Sequence, residues 1–202
     1  MSTDGVDTSR RRFLTASTSV VGAVGVVGVA VPFLASWQPS ARAKAAGAPV
    51  EADISKLEEG GMATFEWRKQ PVWVVRRTAQ NMKDLDTLKD QLVDPESKVP
   101  QQPEYAQNSY RAREEHPEII VMVGICTHLG CSPTPRMEVA PADLGPDWKG
   151  GFFCPCHGSK FDLAGRVYKH VPAPTNLVVP PYKYLSDTLI LIGDDTVEEG
   201  AA

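Results

Sequence analysis

The sequence predicts an all-β head, an antiparallel sandwich with a small inserted subdomain, carried on one N-terminal transmembrane helix. Three observations predict it. Residues 13–37 are uncharged and mostly apolar. Beyond them the chain turns polar, with short runs rich in Val, Ile, Trp and Tyr broken by Gly, Pro and Asp. All four cysteines and two of the four histidines fall in two six-residue boxes, Cys126-Thr127-His128-Leu129-Gly130-Cys131 and Cys154-Pro155-Cys156-His157-Gly158-Ser159.

A chain of 202 residues accommodates one domain with accessories, and its composition is that of a globular protein. Residues 37–202 carry 18 basic and 23 acidic groups. A net charge of that size serves solubility and can help steer a basic partner, and nothing in it points to nucleic acid.

Ser9-Arg10-Arg11-Arg12-Phe13-Leu14 has the pattern of a twin-arginine export signal. Three arginines ahead of an apolar run would also hold the N-terminus in the cytoplasm. Both readings give one topology: residues 1–12 cytoplasmic and residues 13–37 as anchor. About 20 helical residues span the hydrocarbon core, so the run from Ala16 to Trp37 is long enough, with Pro32 placed to kink it. Ala41-Arg42-Ala43 mimics a cleavage site, but cleaved signals have shorter apolar regions, and retention is expected. Residues 38–52, rich in Ala with Pro39, Gly47 and Pro49, read as a linker, and residues 53–202 as the head.

Within the head, Met62–Trp67 and Pro71–Arg76 form a hairpin around Arg68 to Gln70. Thr78 to Leu92, with Leu85, Leu88 and Leu92 at helical spacing, predicts a short surface helix, followed by a Pro-rich surface loop. Glu118 to Gly124 is a buried strand leading into the first box. Residues 132–149, with four prolines, read as loop. Short strands are expected at 166–168, 177–180, 182–184 and 188–192, with Ser186-Asp187 as the last turn. The inserted subdomain covers about residues 120–165. His116 and His170 have no ligand-like neighbours and read as surface histidines.

Each box offers one thiolate and one imidazole from a tight turn: Cys126 with His128, and Cys154 with His157. Closing both on one metal brings Cys131 beside Cys156, a disulfide pair outside the ligand set. Two Cys and two His suit tetrahedral zinc, or a two-iron cluster with Cys on one iron and His on the other.

The boxes, with Gly130, Pro155, Gly158 and Ser159, resemble the Rieske [2Fe-2S] signature. Gly150-Gly151-Phe152-Phe153, the run from Phe161 to Arg166 and the run from Val171 to Leu177 extend the likeness to the Rieske subunits of cytochrome bc complexes. The resemblance implies a Rieske fold and one [2Fe-2S] cluster held by Cys126, His128, Cys154 and His157. It implies that Ser159 donates to a bridging sulfide and that Leu129 covers the cluster. His157, with His128, is the residue expected at the quinone, and Pro172-Ala173-Pro174 closes over the other side. Phe161 departs from the respiratory pattern, which has a tyrosine donor there. The implied activity is that of one subunit of a quinol:cytochrome c oxidoreductase, not active alone. A mobile head on the 38–52 hinge takes one electron and a proton from quinol and passes the electron to a c-type cytochrome. The expected partners are a cytochrome b subunit and a c-type cytochrome subunit in a dimeric complex. The expected location is the bacterial inner membrane, single-pass, with the head in the periplasm. A Rieske subunit of a periplasmic arsenite-oxidase type enzyme is the alternative. Cluster assembly in a reducing cytoplasm and a disulfide outside it both fit export of the folded protein.

Overall fold

The computed structural model describes residues 7–41, 44 and 47–196, in two units that divide after Ala45. Arg42, Ala43 and residues 197–202 lie outside the described residues. In the first unit one helix, α1 (Thr8–Ala35), is capped by the Asp7 carboxylate, which accepts from the amides of Ser9 and Arg10. The helix begins before the arginines and runs through Pro32. It buries no residue of its own and is long and apolar enough to cross a membrane.

The second unit is built on three antiparallel three-stranded sheets. The middle one holds β2 (Met62–Trp67), β3 (Gln70–Arg76) and β4 (Ile119–Val123). Its outer neighbours are β1 (Val50–Asp53) with β9 (Leu189–Ile192) and β8 (Tyr182–Ser186), and β5 (Thr134–Arg136) with β6 (Gly151–Phe153) and β7 (Lys160–Asp162). Period-two alternation explains how the middle sheet serves both. Val72 and Val74, opposite Val123 and Val121, join a core with Ala52, Tyr182, Ile190 and Ile192. Trp73 and Val75, opposite Met122 and Ile120, face Cys126, Phe152, Cys154 and Phe161. A strand buried on both faces needs an unbroken apolar run, and all five residues of β4 are buried. Trp73 stacks on Phe152 with ring centroids 4.8 Å apart, which ties the box-bearing sheet to the middle one.

Several elements differ from the sequence reading. β1 pairs with β9 from Val50 to Asp53, so the sheet begins inside the segment read as linker. β4 pairs with β3, so the inserted sheet takes its first strand only at Thr134, after the expected start near residue 120. That strand, β5, lies in the segment read as loop. It is an edge strand, where Pro135 costs no essential donor. The helix is shorter than expected: α2 spans Ala79–Thr87 and a 3₁₀ turn follows at Lys89–Gln91. Its start is fixed by a capping box in which Thr78 and Asn81 exchange side-chain and amide bonds. The hairpin closes on two residues, Arg68 and Lys69, both with positive φ. Such a turn usually takes Asn-Gly, and here the Arg68 guanidinium lies 4.3 Å from the Trp67 ring. Residues 166–168 and 177–180 pack without forming strands, the former contributing only isolated bridges. The Pro-rich loop after α2 is no surface insertion: Ser97, Ala106, Arg111 and Ala112 are buried. His116 is half-buried, paired with Glu118 at 3.5 Å and packed on Tyr184.

Candidate metal centre

The two boxes fold into loops with the same backbone pattern. The Cys126 amide donates to the Cys131 carbonyl and the Gly130 amide to the Cys126 carbonyl, at 2.7 and 3.0 Å. The Cys154 amide donates to the Ser159 carbonyl and the Gly158 amide to the Cys154 carbonyl, at 2.8 and 2.9 Å. Closing a loop of this length requires a left-handed residue at its fifth position. Gly130 and Gly158 supply it with φ of 82° and 78°. β4 delivers the first loop and the β6–β7 hairpin presents the second.

Cys131 and Cys156 are joined in a disulfide, as expected, which staples loop to loop. Cys126 and Cys154 remain free thiols, both buried. The sulfurs of Cys131, Cys154 and Cys156 lie within 4.8 Å of one another. Two of these are spent in the disulfide, so that trio is not a ligand set. The remaining donors pair differently. Cys126 and Cys154 share one buried core cluster, and the rings of His128 and His157 meet edge to face with centroids 4.8 Å apart. His157 is exposed and His128 half-buried. Burial pushes the Cys154 thiol up from its ordinary value, opposed by the amides of Cys156 and His157 pointing at its sulfur. The same amides would stabilise a thiolate that carries a metal.

Leu129 stands at the tip with 71% of its surface exposed. Ser159 is fully buried, and its hydroxyl oxygen accepts from the Ala173 amide at 3.0 Å. The Thr127 hydroxyl donates to the Thr175 carbonyl at 2.7 Å. Pro172-Ala173-Pro174 is therefore fastened to both boxes, to one by Ser159 and to the other by Thr127. The strap is fixed at its far end by Asn176, which accepts from the Val167 amide and donates to the Asp94 carbonyl. Thr127 and Asn176 were missed from sequence. The one signal for Thr127 is its place between Cys126 and His128. Phe161 is fully buried in the same core cluster as the free thiols and carries no polar side-chain atom.

Two free buried thiols and two imidazoles on disulfide-stapled loops define a mixed Cys/His iron-sulfur class of centre, and this donor set fits a [2Fe-2S] cluster. The Rieske [2Fe-2S] domain matches residues 49–183, and the N-terminal region described as "Ubiquitinol-cytochrome C reductase Fe-S subunit TAT signal" matches residues 1–40. A "Ubiquinol-cytochrome c reductase iron-sulfur subunit" of Allochromatium vinosum is 62% identical over 96% of this chain and 93% of that one. Its namesake from Blastochloris viridis is 41% identical over 95% and 97% of the two. A solved chain of "Hyperthermophilic respiratory Complex III" aligns with 87% of this chain and 98% of its own length at 25% identity, with a TM-score of 0.46. The chain belongs to the Rieske [2Fe-2S] family, among the iron-sulfur subunits of ubiquinol-cytochrome c reductase.

Proposed function

We propose that this chain is the electron-carrying subunit of a cytochrome bc complex, accepting one electron at a time from quinol at a cytochrome b subunit and delivering it to a c-type cytochrome. The observation that supports the reading is that Cys126 and Cys154 stay free and buried while His128 and His157 meet ring to ring, on two loops joined by the Cys131–Cys156 disulfide. Cys126 and Cys154 would hold one iron as thiolates, and His128 and His157 the other as imidazoles. What the bound group supplies is one-electron redox capacity at a raised potential, roughly −150 to +300 mV, because two of its ligands are neutral.

The residues around it divide the remaining tasks. His157, exposed at the tip, would present its outer ring nitrogen to a quinol hydroxyl; that nitrogen, having given up its proton while the centre is oxidised, would accept the hydrogen bond and take the quinol proton as the electron arrives, returning to the neutral imidazole. His128, half-buried beside it, is the second imidazole available for this role. Leu129 supplies apolar surface that excludes water when the tip docks. Ser159, its oxygen already held by the Ala173 amide, has its hydroxyl proton free to donate toward a sulfide. Cys131 and Cys156 keep the loops at fixed separation.

Residues 13–37 anchor the chain in a bacterial inner membrane and residues 1–12 stay in the cytoplasm. Residues 38–49 serve as hinge for a periplasmic head, with partners arranged as a dimeric complex. The family match and the apolar length of α1 support this arrangement. The arsenite-oxidase type alternative has no support among the relatives, which carry the reductase name.

Electron paramagnetic resonance along a redox titration of reduced membranes tests the reading. A rhombic signal with a potential far above all-Cys ferredoxins is expected. A silent sample containing zinc would overturn it.

A further inference from the structure

Three guanidiniums, Arg77, Arg111 and Arg166, are buried in the head, against two carboxylates, Asp94 and Asp162. One positive charge is left over. Among the described residues, Arg166 alone of the three meets a carboxylate directly, Asp162 at 2.8 Å. Arg111 is fully buried and bonds to no acid: it donates to the carbonyls of Ala164, Gly165 and Leu177 at 3.2, 3.3 and 2.5 Å and to the Gln102 amide oxygen at 3.0 Å. Its Nε has no partner among the described residues. Burial pulls Arg111 down to about 10, with Asp162 pulling the other way, so it stays charged at neutral pH.

A buried charge with no directly bonded counter-ion is expensive, and carbonyl dipoles recover only part of its hydration. Packing alone is better served by an apolar side chain of similar volume. Arg111 is also held at φ 54°, a left-handed conformation that an ordinary side chain adopts at a cost. The place of the charge suggests what offsets these costs. Ala164 and Leu177, whose carbonyls it grips, belong to the same apolar core as Cys126 and Cys154. Coulomb interactions across such a core are weakly attenuated and escape salt screening. An electron added at the Cys126/Cys154 centre makes it one unit more negative, which a fixed cation in the shared core favours.

We propose that Arg111 is a tuning residue that raises the reduction potential of this centre through its buried charge, partly offsetting the hydrogen-bond donor that Phe161 does not provide. Arg111 touches neither the ligands nor a substrate. Its effect is electrostatic, and its contacts to the Ala164, Gly165 and Leu177 carbonyls fix where the charge sits. Asp94, mostly buried and accepting from the amides of Lys98 and Val99, acts in the opposite sense. The proposal rests on the Rieske reading.

The test is the midpoint potential of the cluster-loaded, membrane-anchored chain, read by electron paramagnetic resonance along a redox titration at low and high salt. Arg111→Gln removes the charge, Arg111→Lys keeps it with fewer bonds, and Asp94→Asn removes an opposing charge. The expected results are a lower potential for Arg111→Gln, a potential near the parent for Arg111→Lys, and a higher one for Asp94→Asn, all unchanged by salt. A fall in Arg111→Lys equal to that in Arg111→Gln would assign the effect to lost packing and overturn the proposal. So would an Asp94→Asn potential that stays or falls. If Arg111→Gln fails to load the cluster, the other two variants decide. A parent protein without the rhombic signal would instead refute the Rieske reading itself.

Discussion

The buried pair Asp162–Arg166 gives the sharpest stability prediction. One Asp162 oxygen accepts from the amides of Ala164 and Arg166, at 2.9 and 2.8 Å. The other accepts from Arg166 Nε at 2.8 Å, and Arg166 goes on to the carbonyls of Pro95 and Leu85. Both side chains are fully buried. Asp162→Ala therefore leaves a guanidinium without its counter-charge and two amides without acceptors. Breaking one side of a buried pair costs about 3–5 kcal/mol, a large share of a total stability of about 5–15 kcal/mol. With a urea slope of roughly 2 kcal/mol/M, the unfolding midpoint should fall by about 1.5–2.5 M. The assay is urea unfolding of the detergent-solubilised chain followed by tryptophan fluorescence, for which Trp67, Trp73 and Trp148 are buried reporters. Asp162→Leu with Arg166→Met restores the charge balance but not the amide acceptors, so it regains only part of the loss. A midpoint shift below about 0.5 M for Asp162→Ala would refute the claim that this buried pair carries a large share of the head's stability.

Further predictions concern the centre itself. Phe161→Tyr adds a donor in the core cluster that holds the free thiols and raises the midpoint potential in a redox titration; no change or a fall refutes the role given to that position. His157→Ala abolishes both the rhombic signal and quinol oxidation in membranes, and full quinol oxidation in this variant removes His157 from the site. Cys131→Ala with Cys156→Ala opens a staple across 25 residues, for which loop entropy predicts a loss of about 3–4 kcal/mol. Thermal unfolding of this variant with unchanged midpoint and full cluster retention would show the disulfide to be dispensable.

What the sequence made legible was what chemistry or periodicity constrains locally. The Cys131–Cys156 disulfide was readable because folding the two boxes together leaves that pair side by side, and the two boxes themselves were readable from their Cys and His spacing, with Gly130 and Gly158 taking the left-handed position in each turn. Residues 119–123 were readable because a strand buried on both faces admits no polar residue. β5 and β1 were not readable. Each is short and lies at a sheet edge, so neither needs the apolar alternation that betrays a strand, and pairing partners as distant as Ile192 for Val50 are invisible to a local pattern. The turn at Arg68 and Lys69 was placed but not typed, because its left-handed residues carry none of the usual turn chemistry.

Arg111 shows the deeper limit. Charged residues in a Pro-rich segment read as solvated surface, and burial of this one depends on carbonyls from residues more than fifty positions away. Its guanidinium, the Asp162–Arg166 pair through the Pro95 carbonyl, and Asn176 together pin the segment after α2 to the backs of the second box and the strap. The segment read as a surface loop thus backs the flank of the second box and the strap. A short deletion in residues 94–117 is therefore expected to cost the centre its cluster before it costs the sheets their fold, because β3 and β4 pair directly with each other, while box 2 and the strap lose the side chains and carbonyls that hold them. Circular dichroism that keeps its β signal while the visible iron-sulfur bands vanish is the expected outcome. Retention of both would mean that the loops stand without that backing.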